Sequence, residues 1–260
     1  MPCPIYLINL PKDVARAALM HSQLAALGLL EQLHPMAAVY GRDLSEAETA
    51  RFYSPEMNAR QYHLPLSSGE IGCYVSHLNT WQAIVDSNAP GALILEDDVV
   101  LEASLPTLMA QLMAATEPQW DMIKLVGRDA EKTLASWPLN TTHRIVRYAR
   151  IPSMTAAYFI SRAGAQKLLR RTPFGRPVDV DLRYAWETQL QVYGMLPYPV
   201  CLDQSSTVSS IGRRSSPKTW THRWRRVRQQ VAYSFGNWQH LRQARDEAPF
   251  KSAGSTRETS

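Results

Sequence analysis

The sequence predicts an α/β fold, a mixed and mostly parallel sheet flanked by helices, followed by a basic amphipathic helical segment. Short apolar runs alternate with stretches whose apolar residues recur at spacings of three and four, the pattern of strands feeding helices. A sheet built that way is covered on both faces. The basic residues, in contrast, are gathered late. Residues 213 to 245 hold nine of the 28 Lys and Arg and no Asp or Glu, which leaves 19 basic against 23 acidic residues elsewhere. The net charge of +5 therefore belongs to one segment, which needs its own explanation.

Ile5-Tyr6-Leu7-Ile8 reads as a buried strand, ended by Asn9-Leu10-Pro11. From Lys12 the period changes. Val14, Ala17, Ala18, His21, Leu24 and Leu27 mark one helix face, and Gly28 stands where that helix stops. Residues 35 to 68, rich in Pro, Ser, charges and single aromatics, read as loop with short helices. A second helix opens at Gly69-Glu70. Ile71, Tyr74, Val75, Leu78, Trp81, Ala83, Ile84 and Val85 form its broad apolar face, and Asn88-Ala89-Pro90-Gly91 ends it. Residues 92 to 95 are the next strand, with further strands at Met122 to Val126, His143 to Tyr148 and Ala156 to Ile160. Ser161 is placed to cap a helix over Arg162 to Arg170.

With 260 residues and 45% hydrophobic content, the chain can bury one large core. Residues 1–212 are read as that domain, 213–245 as the helical tail and 246–260 as a disordered C-terminus, because the run from Ser252 to Ser260 is polar. No apolar stretch approaches the roughly 20 residues that a membrane-crossing helix needs. The opening Met-Pro-Cys-Pro lacks the basic start and apolar centre of a secretory signal, so a cytoplasmic chain is expected. Cys3, Cys73 and Cys201 are widely spaced with no CxxC pair, which argues against structural disulfides and a zinc knot.

The run Ala92-Leu93-Ile94-Leu95-Glu96-Asp97-Asp98-Val99 carries the chemistry. In an extended chain, Glu96 and Asp98 share one side and Asp97 takes the other. Two carboxylates at the carboxyl end of a strand are what a hard divalent cation needs, and open α/β sheets hold ligands at that end. The same acids could equally end a strand and face water. Asp179 and Asp181, in Pro177-Val178-Asp179-Val180-Asp181, are carboxylates that could serve as a general base, or a solvated turn with a local hydrogen bond.

Gly69-Glu70-Ile71-Gly72-Cys73-Tyr74-Val75-Ser76-His77-Leu78, followed by the strand ending in Glu96-Asp97-Asp98, closely resembles glycosyltransferase family 25. That family includes bacterial lipooligosaccharide galactosyltransferases and animal collagen galactosyltransferases. Tyr6-Leu7-Ile8-Asn9-Leu10 with Arg16 resembles its N-terminal signature, and Ala156 to Ala165 followed by Pro177-Val178-Asp179 resembles its later motifs. Any one motif is modest; four in the right order are specific. The resemblance runs over residues 4 to 212 and leaves the basic tail outside.

The resemblance implies a GT-A-like fold and inverting transfer of a hexose from a UDP-linked donor. The expected reaction moves galactose from UDP-galactose to a sugar hydroxyl of a lipooligosaccharide or related glycan. Glu96-Asp97-Asp98 then corresponds to the family's metal-binding Asp-x-Asp-type motif, with Glu in place of the first Asp. Mn²⁺ or Mg²⁺ would take Asp98 as chief ligand and Glu96 as second ligand or ribose partner. Asp97 would orient the loop or the sugar hydroxyls. Asn9, Arg16, Glu70 and His77 would serve the donor site, and Asp179 is preferred to Asp181 as the base. On the residues alone, Asn9 is equally a turn residue, Arg16 an exposed helix residue and His77 a hydrogen-bonded helix-to-sheet contact. Asp203 and Ser209-Ser210-Ile211 line a pocket or form a plain loop. Ser153-Met154-Thr155 departs from the family, where many relatives carry a glycine. The alternative function is a non-catalytic carbohydrate-binding or assembly module derived from the same fold.

In the tail, Trp220, Trp224, Val227, Val231, Phe235, Trp238 and Leu241 recur at spacings of three and four, with Arg223, Arg225, Arg226 and Arg228 on the flanks. Such a helix suits an anionic membrane surface and would hold the chain peripherally at the inner face of the cytoplasmic membrane, beside a lipid-linked acceptor. The stripe could instead pack on the domain as an ordinary C-terminal helix. Basic and aromatic mixtures also bind RNA, but the acidic body outside the tail argues against a nucleic-acid partner.

Overall fold

The computed structural model of the chain describes residues 3–114, 119–128, 131–203, 220–243 and 249–250. Ser209-Ser210-Ile211, the boundary at 212, Arg213, Arg214, Lys218, Arg245 and the run from Ser252 lie outside the described residues.

Ten strands are described: β1 (Ile5–Asn9), β2 (Leu33–Ala37), β3 (Gly91–Glu96), β4 (Val99–Leu101), β5 (Met122–Lys124), β6 (Thr133–Pro138), β7 (Arg144–Tyr148), β8 (Ala157–Ser161), β9 (Val192–Leu196) and β10 (Val200–Leu202). Eight form one sheet in the order β2-β1-β3-β8-β5-β9-β7-β6, and β4 pairs with β10 apart from it. β7 and β8 run against their neighbours, so six of the eight strands share one direction. The helices are α1 (Val14–Ala26), α2 (Glu46–Phe52), α3 (Pro55–Gln61), α4 (Ser68–Asp86), α5 (Leu105–Ala114), α6 (Arg162–Leu169), α7 (Val178–Asp181) and α8 (Trp220–Gln243). This is a mixed α/β architecture, consistent with the GT-A-like fold.

Strand side chains alternate between two buried layers, as period-2 geometry requires. Ile5 and Leu7 of β1, Leu93 and Leu95 of β3, and Phe159 of β8 pack with Met20 and Leu24 of α1 and Leu105, Leu108 and Leu112 of α5. Tyr6, Ile8, Ala92, Ile94 and Tyr158 point the other way, to Tyr74, Leu78 and Trp81 of α4. Glu96 stands two residues beyond Ile94, so the alternation delivers it to the α4 face.

α4 is fixed at its start by a reciprocal cap. The Ser67 hydroxyl accepts from the Glu70 N–H, and the Glu70 carboxylate accepts from the Ser67 N–H. The loop after β2 is clamped to this helix. A Cβ on Gly72 would lie 2.4 Å from the Val39 carbonyl oxygen, and one on Gly41 only 1.8 Å from that of Ser68. The Val39 N–H donates to Ser76 Oγ at 2.8 Å.

Five strands, β2, β4, β6, β9 and β10, were not read from the sequence, and β2 and β9 show why. β2 lies where the sequence reads as the start of a loop; it is an exposed edge strand whose Pro35 has no N–H to donate, and Pro is tolerated only there. β9 is interrupted by Gly194, because the Tyr148 hydroxyl occupies the space a Cβ would need, 1.7 Å away.

α8 is helical as expected, and it rests on the domain by the face opposite its apolar stripe. Tyr233 packs edge-on to Tyr184, Gly236 lies against Trp186, and Asn237 Nδ2 donates to the Ala149 carbonyl at 2.9 Å. The stripe itself faces outward.

Candidate active site

β2, β1 and β3 are parallel neighbours, so their carboxyl ends open at one edge of the sheet. Three segments lie at those ends: the loop at Ala38–Gly41, Ile8 and Leu10, and Glu96-Asp97-Asp98. With Arg16 of α1 and Gly69, Cys73, Ser76 and His77 of α4 they line a cavity of about 150 Å³. Sites that enclose a whole ligand run to roughly 300–1,000 Å³, so this one suits a single portion of an extended ligand.

β3 ends at Glu96, and the chain bends over Asp97 and Asp98 before β4 begins. The expected two-sided alternation therefore stops at Glu96, and all three carboxylates line the same cavity. The bend is set by the return strand: β4 pairs with β10, and the Asp203 N–H donates to the Asp98 carbonyl at 2.9 Å.

Asp97 accepts from Asn9 Nδ2 at 2.6 Å and from Arg16 Nη1 at 3.3 Å, so Asn9 and Arg16 act on the site through Asp97. Glu96 Oε1 accepts from Thr155 Oγ1 at 2.7 Å and lies 3.3 Å from His77 Nε2. His77, with 0% exposure, joins α4 to the sheet, its Nδ1 2.8 Å from the Tyr158 hydroxyl. Trp81 Nε1 donates to that hydroxyl oxygen at 2.9 Å. The Glu96 carboxylate can only accept, so the His77 contact to it requires a proton on Nε2. Burial opposes the charge on Glu96, but the His77 and Thr155 hydrogen bonds outweigh it and hold the carboxyl below its ordinary range.

Asp98 is the least compensated of the three. Among the described residues its Oδ1 is buried without a hydrogen-bond partner. Burial first, then the charges of Glu96 and Asp97, push its pKa up to about 6. Hard oxygen donors with unneutralised charge on one cavity suit Mn²⁺ or Mg²⁺ in kind, but among the described residues the three carboxylates do not bring their oxygens within 4.8 Å of one another. Cys73, His77 and Glu96 do place ligand atoms within 4.8 Å of one another. That set fits a cation less well. Burial, ahead of the nearby Glu96 and Asp179 charges, raises the Cys73 thiol well above its ordinary value, and both His77 nitrogens are engaged.

Asp179 and Asp181 face different surroundings. Asp181 is 6% exposed and accepts four hydrogen bonds, from Tyr74, twice from Arg171 and from Arg176. Burial works against its charge, but the Arg171 and Arg176 guanidiniums hold the carboxyl below the usual range. Asp179 is half-buried. Burial raises its pKa, as do the charges of Glu70 and Glu96, while the Val180 N–H and Lys124 pull it down. Glu70 holds the α4 cap with one oxygen and contributes its charge to this group.

Lys124 was not singled out from the sequence, and Thr155 was named there only within a departure from the family pattern, not as a partner of Glu96. Lys124 is fully buried and its Nζ donates to the Met154 carbonyl. Burial lowers its pKa to about 8 against the pull of Asp179, Glu131 and Glu96. A lone lysine inside the apolar run Met122 to Val126 was the available signal. Met154 has φ +116°, a backbone conformation that favours glycine, at the position where the sequence departs from the family pattern.

A larger cavity of about 960 Å³ lies between α8 and the amino ends of β5 and β9. It is remote from the carboxylates, and its charged lining is engaged: Lys167 Nζ donates to Asp121 Oδ2 at 2.6 Å.

The family model described as "Glycosyltransferase family 25 (LPS biosynthesis protein)" matches residues 3–182, and the chain belongs to glycosyltransferase family 25. An Aedes aegypti glycosyltransferase 25 family member is 31% identical over 182 residues, covering 68% of this chain and 29% of that protein. Procollagen galactosyltransferase 1 of Danio rerio is 35% identical over 124 residues, covering 46% of this chain and 20% of its own length. A Bos taurus protein named probable inactive glycosyltransferase 25 family member 3 is 33% identical over 123 residues, covering 45% and 20%. The chain thus spans less than a third of the length of these relatives.

Proposed function

We propose that the chain is an inverting, cation-dependent hexosyltransferase that moves galactose from UDP-galactose to a sugar hydroxyl of a lipid-linked glycan such as a lipooligosaccharide. The observation that carries this reading is the convergence of Glu96, Asp97 and Asp98 on one cavity, with Asp98 Oδ1 unpartnered among the described residues. Asp98 and Glu96 would hold Mn²⁺ or Mg²⁺, which supplies positive charge against the leaving diphosphate. His77 and Thr155 orient Glu96, and Asn9 and Arg16 orient Asp97 toward the donor. Asp179 takes the acceptor proton; its raised pKa suits a base better than the arginine-bound Asp181. Among the described residues no helix is long and apolar enough to cross a membrane. The proposed place of action is the cytoplasmic face of the membrane that bears the acceptor.

The test is UDP release from UDP-galactose by the purified chain with a glycan acceptor. Release should require Mn²⁺ or Mg²⁺, stop on chelation, and be lost in Asp98→Asn. A relative named probable inactive favours a second reading, a non-catalytic carbohydrate-binding module. Donor or glycan binding without release under all cation conditions would establish that reading instead.

A further inference from the structure

α8 is built inside out for a helix that packs on its own domain. Its apolar stripe points to solvent, with exposures from 49% at Trp238 to 72% at Trp220, and Trp224, Val227, Val231 and Phe235 between them. The residues that touch the domain include Tyr233, Gly236 and Asn237. At 100° per residue these lie roughly opposite the stripe. Arg183 stacks on the Tyr233 ring of that inner face at 4.5 Å, and Arg228 Nη2, from the helix flank, donates to the Arg60 carbonyl at 3.1 Å, so the helix is held to the domain. Six large apolar side chains therefore form one exposed row, of a kind that marks an interaction surface.

The charges name the partner. Trp220–Gln243 contains five Arg and no Asp or Glu. Arg223 borders the stripe on one side and Arg228 on the other, with Arg225 and Arg226 further round the helix, and all four are exposed. Arg242 lies over the Trp238 ring at 4.4 Å, its stem along the stripe. A second copy of the chain laid on this row would set arginine against arginine with no acid between them. A surface with an apolar interior and an anionic layer above it matches both the row and its flanks.

We infer that α8 is an interfacial helix. It lies flat on an anionic lipid bilayer with the Trp220-to-Trp238 row seated in the acyl boundary, the guanidiniums at the headgroups and the domain held above. The inference deepens the lipid-linked acceptor reading and rests on it for its purpose. The helix would keep the transfer site within reach of an acceptor confined to the same surface.

The test is co-sedimentation of the full chain with vesicles of mixed phosphatidylglycerol and phosphatidylcholine, against vesicles of phosphatidylcholine alone. Binding is expected to the anionic vesicles, with weakening as salt rises. Trp224→Ser/Phe235→Ser should bind roughly tenfold or more weakly, and Arg223→Gln/Arg225→Gln/Arg226→Gln should lose affinity at least as much. All five substituted positions are exposed, and circular dichroism checks that the fold is kept. Equal binding by parent and variants, equal binding to neutral vesicles, or no binding overturns the inference. So does a concentration-dependent dimer that the same variants abolish in the absence of vesicle binding. The vesicles carry no nucleotide sugar and no glycan, so a failure here is separate from a failure of turnover.

Discussion

Asp179 and Asp181 stand two residues apart on α7, which turns their side chains roughly 200° from each other. Asp181→Asn breaks a buried carboxylate out of a two-arginine clasp and is expected to cost about 3–5 kcal/mol in denaturant unfolding. Its folded pKa lies below its unfolded value of about 3.9, so its stabilisation is present above that pH and is lost as pH falls through the folded value. The asparagine variant should lack that part of the acid destabilisation. Asp179→Asn should instead keep its stability and lose about 100-fold or more in kcat. A base must be deprotonated, so activity rises with pH through the Asp179 pKa, which lies above the ordinary Asp value. A pH–rate profile that retains this acidic limb in Asp179→Asn would remove Asp179 from the role. Glu96-Asp97-Asp98 was legible as a candidate site because its members are contiguous and follow an apolar strand. Thr155 and Lys124 were not, because their parts depend on which strand ends the fold sets beside Glu96 and Asp179.

At the scale of elements, two backbone positions decide the shape of the site. Gly72→Ala would drive a Cβ into the Val39 carbonyl and the Gly41 backbone, neither of which can rotate away. The expected cost is about 1–3 kcal/mol, with a several-fold rise in donor KM because the Ala38–Gly41 wall moves. A donor KM unchanged in a folded variant would show that this wall does not touch the donor. Met154 holds a positive φ next to Thr155, the hydrogen-bond donor to Glu96. Met154→Gly and Met154→Ala both remove the side chain, so their difference isolates the backbone. Glycine should be the more stable by about 1 kcal/mol in thermal unfolding, the reverse of the usual order. Long periodic elements such as α4 were legible; β2, exposed and interrupted by Pro35, and β9, interrupted by Gly194, lack the period that reading requires.

For the whole molecule, the alternation of helical and strand periods was enough for the fold class, because both faces of the sheet must be covered. The strand order was not readable, since the pairing of β8 between β3 and β5 joins residues far apart in sequence. A ligand that binds only the folded chain stabilises it as a unit. UDP with Mn²⁺ at about 100 times Kd should add about 2.7 kcal/mol, a rise of several degrees in Tm. The cation-dependent part should vanish in Asp98→Asn; a shift that survives intact would place the cation elsewhere. The hydrogen bond from Asp203 to Asp98 has a mechanical consequence. Asp203 is where the chain leaves β10 on its way to α8, and the same peptide frame presents the proposed chief ligand of the cation. A shift of the chain at Asp203 would therefore be passed through this hydrogen bond to the bend of Asp97 and Asp98.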